Sequence, residues 1–75
     1  MDRAVLDAAL IDAHEAEDNV RLAQLYTSAA DMTEAKGDID ACCFYLTHAY
    51  VFALASGAPD AGALHVRLLA YGREE

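Results

Sequence analysis

The chain has 75 residues, with 13 aspartates and glutamates against 5 lysines and arginines, a formal net charge of -8. So few cations cannot neutralise the phosphates of a nucleic acid, and an anionic membrane surface repels the chain for the same reason. Hydrophobic residues make up 56%, while a domain this short buries only about 60% of its unfolded surface, so a single domain over residues 1–75 with apolar surface left for association is the expectation.

The N-terminus reads Met1, Asp2, Arg3, Ala4, without the basic region and apolar core of a signal peptide. A first helix carries Val5, Leu6, Ala9, Leu10 and Ala13 on one side and fades in Glu15, Glu17 and Asp18. The second opens near Asp18-Asn19, both good N-caps. It places Val20, Leu22, Ala23, Leu25, Tyr26, Ala29, Ala30 and Thr33 at helical spacing, with Arg21, Gln24, Ser28, Asp31 and Glu34 on its wet face. It closes at Lys36-Gly37, where glycine suits the left-handed position after a helix. Asp38 starts a third helix that runs to Ser56-Gly57, and Pro59-Asp60 start a fourth with the stripe Ala61, Leu64, Leu68 and Tyr71, ending at Gly72. Arg73, Glu74 and Glu75 are expected to fray.

No strand pattern is present, and three short joints make successive helices antiparallel neighbours. The fold class expected is all-α: four antiparallel helices as two helical hairpins, either tetratricopeptide-like or a small bundle. The acidic starts Asp18, Asp38 and Asp60 recur at near-equal intervals, the mark of a helical-hairpin repeat.

Between Asp40 and Asp60 no acidic or basic residue other than His48 interrupts the chain. Thr47, Ser56, Gly57 and Pro59 limit the apolar run to less than the roughly 20 residues of a membrane span, so a buried helix is expected. Cys42 and Cys43 are adjacent and point about 100° apart on a helix. A bridge between them would be strained, and they read as reduced, buried hydrophobes of a cytoplasmic protein.

His14, His48 and His65 lie on three different helices; His14 could combine with Asp18, or His48 with the cysteines, but the close pairs of Cys or His that zinc sites use are missing. No metal or cofactor is expected. A cysteine–histidine catalytic pair needs an orienting partner and a pocket, and four short helices leave little room for a cleft of about 300 Å³. No catalytic activity is expected. The acidic residues Glu15, Glu17 and Asp18 read as a solvated turn that complements the next helix start. Four tyrosines, Tyr26, Tyr45, Tyr50 and Tyr71, suit either core or interface.

The third helix has two apolar sides. Cys42, Leu46, Ala49 and Ala53 form one stripe; Phe44, His48, Val51 and Ala55 form another. The second is either covered by the first and fourth helices in a closed bundle or meets another chain. The chain is expected to act as a protein-interaction or oligomerisation module, a homodimer through Phe44, His48, Val51 and Ala55, or bound to another protein. Alternatives are an accessory subunit of a larger enzyme and a small-ligand binder between helices.

The stretch from Tyr26 to Ser56 resembles a tetratricopeptide repeat. Tyr26, Ala29 and Ala30 take the spacing of an aromatic, a large and a small residue on the repeat's first helix; Gly37-Asp38 follow as its turn; Cys42, Leu46 and Ala49 stand at small, large and small positions of its second. Thr33 replaces a tyrosine, Ala29 is smaller than the usual leucine, and Leu54 stands where a closing proline belongs. The chain also looks like small helical-hairpin proteins of bacteria. The resemblance implies a scaffold for protein contacts.

Overall fold

A computed structural model describes residues 3–72; the expectations for Met1, Asp2 and the last three residues lie outside that range. The described residues form α1 (Arg3–Glu15), α2 (Asn19–Ala35), α3 (Ile39–Ser56) and α4 (Ala61–Ala70), with no strand among them. The fold is all-α.

The first two joints are built alike. At the end of α2, Gly37 takes φ 79, the Gly37 amide donates to the Glu34 carbonyl, and the Asp38 amide donates to the Thr33 carbonyl. This pair of bonds satisfies carbonyls that the helix end would otherwise leave unpaired. Asp38 then caps α3 by accepting from the Ala41 amide at 3.1 Å. The α1–α2 joint repeats the pattern: Glu17 donates to His14 and Asp18 to Ala13, and the Asp18 carboxylate accepts from the Arg21 amide at 3.1 Å. Glu17 holds φ 53 there, the one non-glycine residue with positive φ among those described.

The third joint differs. Gly57 ends α3 at φ 69, but Asp60 sits at helical φ and ψ and makes no side-chain capping bond. The start signal seen three times in the sequence is therefore structurally repeated only twice. Pro59 precedes the helix that begins at Ala61, because the longer joint uses it to turn the chain rather than to open the first turn.

Contacts far apart in the chain give the helix directions. Glu34 lies beside Cys42 while Tyr26 lies beside Phe52, so α2 and α3 run antiparallel. The α2–α3 contact is the most extensive; α1 packs on α2 and α4 on α3. The described chain measures 32 × 28 × 14 Å, a slab with the α2–α3 hairpin in its middle.

Small residues make that hairpin close. Ala23, Ala30, Cys42, Leu46, Ala49 and Ala53 form one buried cluster with Leu64 and Leu68 of α4. Alanine and cysteine let two backbones approach at the near end of the usual 8–10 Å interaxial range. A second cluster joins Leu6 and Ala13 of α1 to Leu22, Leu25 and Ala29 of α2. Val5 and Val20, placed by spacing on the apolar sides of their helices, are 56% and 49% exposed. Periodicity marks an apolar stripe but does not tell which edge of it a neighbouring helix covers.

Candidate interaction surface

α3 has no wet face. Its inner stripe, Cys42, Leu46, Ala49 and Ala53, has no exposed surface. Its outer stripe is uncovered: Phe44 is 58% exposed, Val51 is 55% exposed, Ala55 is exposed, and His48 is half-buried. Exposed Leu54 widens it. Neither α1 nor α4 covers this side, so α3 is not the centre of a closed bundle. A helix apolar all round is normally buried all round; this one is covered on one side.

His48 is held at the inner edge of the outer stripe. Its Nδ1 donates to the Phe44 carbonyl at 2.9 Å, and its ring lies 4.4 Å from the Phe44 ring and 5.2 Å from Tyr26. Tyr26 in turn stacks on Phe52, with ring centroids 5.7 Å apart and planes 7° from parallel. Its hydroxyl is 3.0 Å from His14 Nε2. Burial, and then Tyr45 nearby, raise the Tyr26 phenol above its ordinary range. A continuous aromatic row therefore links α1, α2 and α3. The sequence places His14 and His48 on separate helices; the structure brings both against one tyrosine ring. A shallow groove of about 220 Å³, lined by Thr47, His48, Val51 and Phe52, runs along the stripe.

His65 stacks on Tyr50 at 5.2 Å, away from this row. All four tyrosines are half-buried and pack against the core clusters. Cys42 and Cys43 are free and buried. Burial, and then the charge of Glu34, raise the Cys42 thiol above its ordinary range, away from the thiolate that reactivity needs.

Two features escape the sequence reading. Glu34, assigned to the wet face of α2, accepts from the Tyr71 hydroxyl and lies 3.5 Å from Arg67 and 3.8 Å from the Cys42 thiol. Arg67 also pairs with Asp31 at 2.9 Å. The Tyr71 bond, aided by Arg67, lowers the Glu34 carboxyl below its ordinary range against a partial cost of desolvation. This network fastens α4 across α2. Beside it lies an open groove of about 300 Å³ between α2 and α4, lined by Ala23, Gln24, Thr27, Asp60, Ala63, Leu64 and Arg67. Four short helices thus do leave a cleft of this size, because α4 meets α2 through long side chains rather than backbone to backbone.

Comparison with protein-family models, curated proteins and solved structures finds no match. Among the described residues α3 is the helix long and apolar enough to cross a membrane by length and composition.

Proposed function

We propose that this chain is a protein-interaction module without chemistry of its own, and that it self-associates through the outer face of α3. The observation that carries the reading is the exposure of Phe44, Val51 and Ala55 on a helix with no aspartate, glutamate, lysine or arginine between Asp40 and Asp60. Two copies of a chain with net charge -8 repel each other at most approaches. This face is where they can meet without opposed carboxylates, and covering it removes apolar area from water at about 25 cal/mol per Å².

A membrane is the less apt cover. The inner stripe of α3 is packed on α2, whose outer positions carry Arg21, Gln24 and Asp31, and these would follow α3 toward the lipid at a cost of about 2.5–3.5 kcal/mol for each charge at mid-bilayer. The tetratricopeptide-like spacing of Tyr26, Ala29, Ala30, Cys42, Leu46 and Ala49 agrees with a contact scaffold. The groove between α2 and α4 supports a second reading, a small-ligand binder, since about 300 Å³ is the lower end of ligand-pocket size.

The test is a pair of substitutions on one helix. Val51→Glu places a charge in the seam and is expected to give folded monomers; Leu46→Glu enters the core and is expected to unfold the chain. Sedimentation with circular dichroism reads both. A parent chain that sediments as a monomer at high concentration, or a Val51→Glu chain that sediments as the same dimer, overturns the reading.

A further inference from the structure

The groove between α2 and α4 has a direction. Ala23 shares it with Leu64, while Glu34 meets Tyr71 further along both helices, so α2 and α4 run the same way. On the α4 side, Asp60, Ala63, Leu64 and Arg67 form one stripe, with a carboxylate at one end and a guanidinium at the other. Seven positions separate the two charges, about 10 Å along a helix. Between them lie buried Ala23 and Leu64 and exposed Ala63.

The two charged ends are not equivalent. Arg67 is held by Asp31 at 2.9 Å and by Glu34 at 3.5 Å, so its guanidinium brings no net positive charge to the groove. Asp60 makes no side-chain capping bond and no ion pair among the described residues; Arg21, the cation one turn before Gln24 on α2, does not pair with it. The Thr27 hydroxyl donates to the Ala23 carbonyl at 2.7 Å, which leaves its oxygen free to accept. The polar capacity left open near Asp60 is therefore that of acceptors, one of them charged.

We infer that this groove binds a small organic amine, with the protonated amino group at Asp60 and a short apolar body over Ala23, Ala63 and Leu64. The inference rests on the small-ligand reading of the groove given above and adds the chemical class; it does not depend on self-association through α3. Neither half of the groove selects a ligand alone. An exposed ion pair contributes little by itself, and an apolar floor accepts any small hydrophobe. Together they favour a cation that carries an apolar body. A carboxylate ligand meets the opposite situation: Asp31, Glu34 and Asp60 outnumber Arg67, in the field of a chain with net charge -8.

Three probes with one aromatic body test the class: phenethylamine, phenethyl alcohol and phenylacetate, a cation, a neutral molecule and an anion. Titration of the parent chain is followed by backbone amide NMR. Phenethylamine is expected to shift amides of residues 23–27 and 60–67 and to bind about fivefold tighter than the alcohol, the upper range of an exposed ion pair. Phenylacetate is expected to bind weakest, and the preference for the amine should shrink as salt rises. Asp60→Asn, which removes no capping bond, should bring amine and alcohol to equal affinity. Ala63→Leu, at an exposed position, fills the groove and should weaken both about tenfold, with circular dichroism confirming the fold.

Equal affinity for amine and alcohol in the parent, or a preference that survives Asp60→Asn, overturns the assignment of the amine while leaving the groove a ligand site. Absence of shifts at these residues with all three probes at millimolar concentration, or binding untouched by Ala63→Leu, overturns the ligand reading and this inference together.

Discussion

The Tyr71 hydroxyl donates a hydrogen bond to the Glu34 carboxylate, 37 positions earlier in the chain. This bond pushes the Tyr71 phenol up to about 12 and is the main cause of the lowered Glu34 carboxyl. Both shifts oppose unfolding at neutral pH and are lost at opposite ends of the pH scale. A phenol raised in the folded state stabilises fully below its unfolded value near 10 and loses that contribution as pH climbs toward about 12. Denaturation followed against pH is expected to show stability falling across that interval. Tyr71→Phe should flatten the fall, with a residual slope from Tyr26, also raised. An unchanged alkaline limb in Tyr71→Phe would remove the bond from the account.

On the acid side the sign reverses. The lowered Glu34 carboxyl stabilises above the ordinary carboxylate range and loses this as pH falls through its folded value. Glu34→Gln is expected to melt lower than the parent at neutral pH and to converge with it in acid. Melting curves that stay parallel down to strong acid would count against the network.

The strained joint gives a stabilising substitution. Glu17 occupies the left-handed position that Gly37 fills at the matching joint, and an L side chain there costs about 1–2 kcal/mol. Glu17→Gly is expected to stabilise by about 0.5–1 kcal/mol after the flexibility glycine adds to the unfolded chain. Gly37→Ala should destabilise by about 1 kcal/mol. Urea midpoints measure both, and a destabilised Glu17→Gly chain would contradict the joint geometry.

The three aspartates at helix starts are unequal. Asp18 and Asp38 each accept a backbone bond, and alanine at either should cost about 1 kcal/mol. Asp60 makes no such bond, so Asp60→Ala should cost clearly less. Equal losses at all three positions would show that charge near the helix start, rather than the capping bond, sets the effect.

Cys42 and Cys43 should react slowly with a thiol reagent in the folded protein, since both are buried. Cys42→Ala is expected to cost about 1 kcal/mol. Cys42→Asp would bury a second carboxylate beside Glu34 and should unfold the chain. Rapid labelling of Cys42 without denaturant would place it outside the hairpin seam.

Duplex DNA and RNA should show no mobility shift with this chain at physiological salt, because its charge releases too few counterions. A complex that weakens as salt rises would overturn the electrostatic argument.

The helices were readable because their ends carry their own signals: Asp18, Gly37, Asp38, Gly57 and Gly72 act through local backbone geometry that needs no knowledge of the fold. The inner stripe of α3 was readable for a different reason: small residues such as Cys42, Ala49 and Ala53 fit a close helix approach, and the resemblance to a tetratricopeptide repeat assigns these positions to packing within the hairpin. The Glu34 network was not, because a glutamate on a wet face gives no sign that a tyrosine from another helix will reach it. The meeting of His14 and His48 on Tyr26 was hidden likewise: it depends on how α1 settles against α2. Whether the outer stripe of α3 would be covered was also beyond the sequence, since apolar spacing states what a face prefers and not what arrives to satisfy it.

In a slab where α1 touches α2, α2 touches α3 and α3 touches α4, loss of an outer helix leaves the rest in register. Amide protons should therefore report a sequence of openings rather than one event. α1, secured by Leu6 and Ala13, exchanges with solvent first. α4 follows, delayed by Leu64, Leu68 and its tie to Glu34. The amides facing the alanine seam of α2 and α3 exchange last, and their rate measures the stability of the whole chain.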